Sequence, residues 1–172
     1  RGSRGVCIEP DPNLFRLIRM KRPKDIIINA GVGVQAEKKR ALFYSFPKPY
    51  TGWNTFSEKD AKKKEEESGI SPERILDLPL CSINEIMVKY FNRHPNFLSL
   101  DVEGLDLDIL RNMDFEKYRP EVICVETITF SISGQEKKIT EILQFMESKG
   151  YFAYADTHVN TIFCRKDIYR KV

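Results

Sequence analysis

The sequence has little that would single out one chemistry at first sight. It holds two histidines and one tryptophan in 172 residues. Its four cysteines, Cys7, Cys81, Cys124 and Cys164, lie far apart and form no CxxC pair. That spacing argues against a zinc site or a disulfide framework and reads as buried, reduced thiols. No apolar run approaches the roughly 20 residues that cross a bilayer, and no signal-peptide pattern opens the chain. The expectation is a cytoplasmic protein without a membrane role. Neither sign of charge dominates. With 28 basic and 25 acidic residues the net charge is +3, too balanced to point to nucleic acid. There are no repeats, and no linker suggests a second domain.

What is there is an ordinary globular composition, 41% hydrophobic and 31% charged, in a chain long enough for one domain with a real core. Arg1-Gly2-Ser3 reads as a vector remnant, which leaves a single domain over residues 4–172. A strand-like run begins almost at once, at Gly5-Val6-Cys7-Ile8. This suggests that something upstream has been cut away.

The patterning alternates between strands and helices. Val6–Glu9 reads as a strand, followed by the turn Pro10-Asp11-Pro12-Asn13, with Asn13 as the cap of a helix reaching about Arg22. Asp25–Asn29 is a second strand, closed by Asn29-Ala-Gly-Val-Gly33. Ala41–Phe46 is a third, more exposed strand. A loop rich in Pro, Gly and aromatics follows over residues 47–57, and reads as a surface cluster or as a lid over an acceptor. The charge run Glu58–Glu67 places Glu58 and Lys62, and Asp60 and Lys64, in the favourable i,i+4 order of a solvated helix. Ile75–Leu78 reads as a short strand. Ser82 and Glu85 make a capping box for a helix to about Phe91. Phe97–Asp101 is a strand, Gly104–Met113 a helix and Val122–Glu126 a strand. Lys137–Lys149 is a helix closed by Gly150. Tyr151–Ala155 and Thr161–Arg165 pair as a terminal hairpin, with Asp156, His158 and Asn160 in its turn. This order implies a three-layer α/β fold with a mostly parallel sheet and an antiparallel C-terminal edge.

Four of these strands end on a polar residue: Glu9, Asn29, Asp101 and Glu126. If the strands run parallel, all four groups lie on one sheet edge, where open α/β folds keep their ligands. The most informative stretch is Phe97-Leu-Ser-Leu-Asp-Val-Glu-Gly-Leu-Asp-Leu-Asp-Ile-Leu110. In its helix Asp106 falls inside the apolar arc of Leu105, Leu107, Ile109, Leu110 and Met113. An inward carboxylate there must be paired, capping or functional. Two ligand classes fit such an edge: a nucleotide-type cofactor held by its ribose hydroxyls, and a divalent metal held by hard oxygens, with Asp101, Glu103 and Glu126 as candidates.

The segments Ile8-Glu9-Pro10-Asp11-Pro12-Asn13-Leu14-Phe15, Phe97–Leu110 and Pro120-Glu-Val-Ile-Cys-Val-Glu126 resemble the FkbM family of S-adenosylmethionine-dependent methyltransferases. Order and spacing agree over nearly the whole chain. Asp106 stands where that family usually has Glu. The resemblance implies a Rossmann-like methyltransferase fold and methylation of a hydroxyl on a sugar or natural-product-like small molecule. It also implies roles for single residues. Glu9 would accept from the ribose hydroxyls, and Asn29 and Ala30 would lie near the adenine. Asp101 would face methyl donor and acceptor as base or metal ligand, and Glu103 and Asp106 would shape the acceptor side. His158 is the other candidate base.

One departure stands out. The family's glycine-rich first motif precedes the Glu-Pro block, and Gly31-Val-Gly33 follows the wrong strand to replace it. The expectation is a C-terminal portion of a methyltransferase domain, with weak or absent cofactor binding and with exposed sheet edges that favour self-association. Two other classes stay open: a metal-dependent phosphoryl-transfer or hydrolytic enzyme using Asp101 and Glu103, and a non-catalytic interaction module.

Overall fold

Two short parallel strands begin the fold, Val6–Ile8 (β1) and the β-branched run Ile26–Ile28 (β2). The computed structural model describes residues 3–34, 37–102, 104–129 and 135–169. The chain forms two compact units, residues 1–82 and 83–172, and each is described by itself.

In the first unit, β1 and β2 are joined through helix α1 (Pro12–Lys21). Its cap is Asp11, not Asn13. Pro12 has no N–H and a fixed φ suited to the first helical position, so the cap falls on the residue before it. Asp11 Oδ1 accepts from the Asn13 N–H at 2.7 Å and the Leu14 N–H at 3.4 Å. Its Oδ2 accepts from Asn54 Nδ2 at 3.2 Å and from Ser45 Oγ at 3.5 Å. The side chain is thereby buried with four donors around it.

Gly31–Gly33 (β3), Arg40–Ser45 (β4) and Arg74–Ser82 (β5) form a second sheet in the order β3-β5-β4. The Gly31-Val-Gly33 segment, read from sequence as a closing turn, is therefore a strand. A Cβ on Gly31 would lie 2.4 Å from the Phe56 ring and 2.8 Å from Leu80, so any larger residue would force these side chains to shift. β5 is longer than the expected Ile75–Leu78. Residues 74–79 pair antiparallel with β4 and residues 80–82 pair parallel with β3. Pro79, which has no ladder donor, sits where the strand changes partner.

β4 is not the exposed strand that its sequence suggests. Phe43, Tyr44 and Ser45 are buried, as is Phe46 after them. Tyr44, Phe46 and Ala61 form a cluster onto which Tyr50, Trp53 and Ile70 pack. The aromatic loop is part of this cluster, with a 3₁₀ turn at Tyr50–Trp53. The charge run is helix α2 (Glu58–Ser68), capped by Ser57 through the Asp60 N–H and ended by Gly69 in the left-handed conformation. Its face is solvated except at Ala61 and Lys64. Lys64 is buried, and its Nζ donates to the Trp53 carbonyl at 3.0 Å.

The second unit contains helix α3 (Ile83–Tyr90), strand β6 (Phe97–Leu100), helix α4 (Asp106–Asn112), strand β7 (Val122–Glu126), helix α5 (Thr140–Ser148) and strands β8 (Tyr151–Asp156) and β9 (Asn160–Arg165). The sheet order is β6-β7-β9-β8. β7 alternates as its pattern requires, with Ile123 and Val125 fully buried. Two helices start later than expected. α4 begins at Asp106 because Gly104 has φ +92°, outside the helical region. α5 begins at Thr140 because Lys138 bridges to Ile128 and the Ile139 N–H donates to Thr127 O, which holds that stretch extended. Its inward face carries the fully buried Ile142 and Met146.

The fold is α/β with mixed sheets. The expected mostly parallel sheet is corrected in one respect. Among the described residues, β1–β2, β3–β5 and β6–β7 are parallel, while β4–β5, β7–β9 and β8–β9 are antiparallel. The connection through α2 returns the chain antiparallel instead of making a parallel crossover. The four cysteines are free thiols, half-buried and not fully buried as their apolar settings suggested. Among the described residues no helix is long and apolar enough to cross a membrane.

Asp11→Ala removes a helix cap and leaves the amide of Asn54 and the hydroxyl of Ser45 without this acceptor. The expected cost is about 2 kcal/mol of stability. Urea unfolding measures it, and a loss near zero would show that Asp11 does not anchor α1.

Candidate functional site

Two of the three parallel pairs among the described residues, β1–β2 and β6–β7, gather polar groups at their carboxyl ends. In the first unit, the register Ile8↔Ile28 sets Glu9 beside Asn29. The Glu9 N–H continues the ladder to Ile28 O at 3.0 Å. Asn29 Nδ2 donates to Glu9 O at 2.8 Å and to Pro10 O at 2.9 Å. Its amide thus fixes the turn that leads into α1. Glu9 Oε1 accepts the Asp11 N–H at 2.8 Å. Among the described residues no donor reaches its Oε2. Burial raises the Glu9 pKa, the Asp11 N–H opposes the rise, and the Asp11 charge adds to it. Ala30, after Asn29, is buried.

In the second unit, Leu100↔Val125 aligns β6 with β7, so Asp101 and Glu126 follow at the same end of the pair. Asp101 is exposed and Glu126 half-buried. Glu103 lies outside the described residues. The hairpin turn meets this end too, because β7 pairs with β9 through Glu126↔Asn160. His158 sits there with φ 74°. Its N–H donates to Asp156 Oδ1 at 2.7 Å, and its carbonyl accepts from Lys138 Nζ at 3.0 Å. Lys138 Nζ also pairs with Asp156 Oδ2 at 2.7 Å. The imidazole side chain is exposed.

Asp106 has the most unusual environment of these acids. It opens α4 and is 4% exposed. Its Oδ1 accepts the Val102 N–H at 3.3 Å, so it holds the backbone turn that follows Asp101. Burial, with the neighbouring Asp101 charge, pushes its pKa up to about 6. The inward placement read from the apolar arc is therefore observed, and the side chain works as a backbone acceptor within the turn.

Three groups at these strand ends carry little or no signal in the sequence. Asp11 joins α1 to Ser45 and Asn54, and its only sequence signal was Asp before Pro at a helix start. Thr127 and Thr161 are fully buried and share a hydrogen bond at 2.7 Å, and Thr161 Oγ1 also reaches Asp156 Oδ2 at 3.4 Å. Nothing in the sequence marks two threonines 34 positions apart as a pair. Among the described residues, no three His, Cys, Asp or Glu side chains converge as a group that could hold a metal ion.

The geometry offers an open carboxylate oxygen beside a clamped turn in one unit, and an exposed carboxylate beside a buried one of raised proton affinity in the other. The first suits a pair of hydroxyl donors. The second suits proton transfer from a hydroxyl group. Residues 1–153 match the sequence model of the methyltransferase FkbM domain, a match that runs through both units. No curated protein and no solved structure gave a significant match.

The Asp106 environment makes a signed prediction. Its folded pKa of about 6 lies above the ordinary 3.8, so between these values the folded state holds a proton that the unfolded chain has lost. This contribution favours folding at low pH and is lost as pH rises through about 6. Asp106→Asn keeps the acceptor for Val102 and removes the charge. The variant should gain stability relative to the parent on passing from acid to neutral pH, by up to about 3 kcal/mol. Chemical unfolding at several pH values reads the gap, and a pH-independent gap would refute the burial argument.

Proposed function

Because the chain belongs to the FkbM methyltransferase family, we propose that it is an S-adenosylmethionine-dependent O-methyltransferase acting on a hydroxyl of a sugar or natural-product-like small molecule, built on a three-layer Rossmann-like arrangement. The observation that carries this reading is Glu9. A carboxylate at the end of a parallel strand, held by the Asp11 N–H on one oxygen and open on the other, is a suitable acceptor for a ribose diol. The residues present fit the adenosine half of the cofactor: Glu9 for the ribose, and Asn29 and Ala30 for the neighbourhood of the adenine.

When bound, the cofactor supplies an electrophilic methyl carbon on a sulfonium. Asp101, exposed at the end of β6, would accept the proton of the acceptor hydroxyl. Asp106 acts as a positioning residue, since its bond to the Val102 N–H sets the turn that presents Asp101. Glu103 contributes to the acceptor side, and His158 is left to the hairpin turn.

The methionine half is less well provided for. Gly31-Val32-Gly33 is the only Gly-x-Gly in the chain, and Gly31 is taken up by packing against Phe56 and Leu80. Cofactor binding by this chain is accordingly weak. Titration with S-adenosylhomocysteine, followed by amide chemical shifts, tests both points. Saturable shifts at residues 8–11 and 29–30 are expected, with an affinity weaker than micromolar. Glu9→Gln keeps an acceptor for Asp11 but exchanges the open carboxylate oxygen for an amide, and should lower affinity about tenfold or more. Shifts elsewhere, or an unchanged affinity in Glu9→Gln, overturn the ribose assignment. Micromolar binding overturns the claim that the methionine half lacks a cradle.

A further inference from the structure

We propose that the open cavity at the amino-terminal edge of β6 and β7 binds the phosphate group of a small phosphorylated metabolite. The cavity, about 590 Å³, lies in the second unit. Its polar lining comes from Asn92, Arg93 and His94, just before β6, and from Lys117, just before β7. Val88, Phe91 and Tyr118 supply apolar wall. Three nitrogen-bearing side chains that carry or accept a proton thus face one space, and no carboxylate is among the lining residues.

The charges are not spent elsewhere. Among the described residues neither Arg93 nor Lys117 enters an ion pair, and the Lys117 ammonium rests 5.2 Å from the Tyr118 ring centroid. A guanidinium, an ammonium and an imidazole together match the oxygens of a phosphate monoester, with the guanidinium able to hold two of them. A side chain such as Val88, 63% exposed beside them, offers contact to the body of a ligand that carries the phosphate. The volume is in the range of small-molecule sites.

The frame around the cavity is held by specific bonds. Asn84 of α3 clamps the connection after α4: its Nδ2 donates to Asn112 O at 2.7 Å and its Oδ1 accepts the Asp114 N–H at 3.0 Å. Asp114 Oδ1 in turn accepts the N–H groups of Glu116 and Lys117 at 3.1 Å each, and its carbonyl accepts the Tyr118 N–H at 2.8 Å. Lys117 therefore projects from a braced turn. On the other wall, the Phe91 N–H extends α3 by bonding Met87 O at 3.1 Å, and Asn96 Nδ2 donates to Glu121 Oε1 at 2.9 Å. Arg93 and His94 lie between these two fixed points. Asp114, Glu116 and Glu121 are the acids nearest Lys117 in sequence; Asp114 is engaged by the turn it braces and Glu121 by Asn96.

The test is a titration of the whole chain with inorganic phosphate, with glucose 6-phosphate and with glucose, against chloride at matched ionic strength and followed by amide and side-chain chemical shifts. Saturable shifts confined to residues 91–94 and 117–118, seen with both phosphates and absent with glucose and chloride, are expected. Arg93→Gln/Lys117→Gln should weaken the binding about tenfold or more with unfolding unchanged, and Lys117→Gln alone should weaken it less. Equal shifts with chloride, or undiminished binding in the double variant, overturn the proposal. Capture by phosphatidic acid vesicles without response to the soluble phosphates assigns the surface to a lipid headgroup and overturns it as well.

Discussion

Parallel pairing is the constraint on which both candidate ends depend. In a parallel pair the two chains leave the sheet on the same side, so whatever follows each strand is brought together. The register Ile8↔Ile28 turns Glu9 and Asn29, twenty residues apart, into neighbours. The register Leu100↔Val125 does the same for Asp101 and Glu126. A slip of one residue would turn Ile123 and Val125 from the buried face of β7 to the other face, so the hydrophobic pattern that fixes the core also fixes the position of the acids.

A buried carboxylate has to repay its desolvation, and Asp106 does so incompletely. The Val102 N–H at 3.3 Å is a long bond, and although the N–H groups of Gly104 and Asp106 also favour the charged form, burial and the nearby Asp101 charge outweigh all three. The resulting raised proton affinity ties the turn between β6 and α4 to the acid–base state of the cluster. Asp11 shows the contrasting solution. It is just as buried, yet four donors face its two oxygens, so it is an anchor of the first unit. The difference between these two acids lies in their neighbours, side-chain donors for Asp11 and a like charge for Asp106, and their positions in the sequence do not reveal that.

Much of the fold was legible because it is local. β7 coincides with the predicted Val122–Glu126, and the terminal hairpin and α2 follow from alternation, turn residues and i,i+4 charges. What failed depends on partners far away in sequence. Gly31–Gly33 is a strand because Leu80–Ser82 pairs with it, and β5 runs to nine residues because two different strands share it. α5 starts three residues late because Thr127 takes the N–H of Ile139. The same division holds for the candidate site. Asp101, Asp106 and Glu126 were visible as acids after strands or inside an apolar arc. The Thr127–Thr161 bond and the cap at Asp11 required tertiary contacts, or a finer weighing of Pro12, to be seen. The basic segment Asn92-Arg-His94 carried no periodic signal at all.

The second unit thus has ends of opposite character. Asp101, Glu126 and Asp156 lie where β6, β7 and β8 finish, while Arg93, His94 and Lys117 lie where β6 and β7 start. β6 has four residues, so the ends are separated by a rise of about 13 Å. This exceeds the screening length of about 8 Å at physiological salt. Exposed charges at one end are therefore largely screened from exposed charges at the other, such as Asp101 and Asp156.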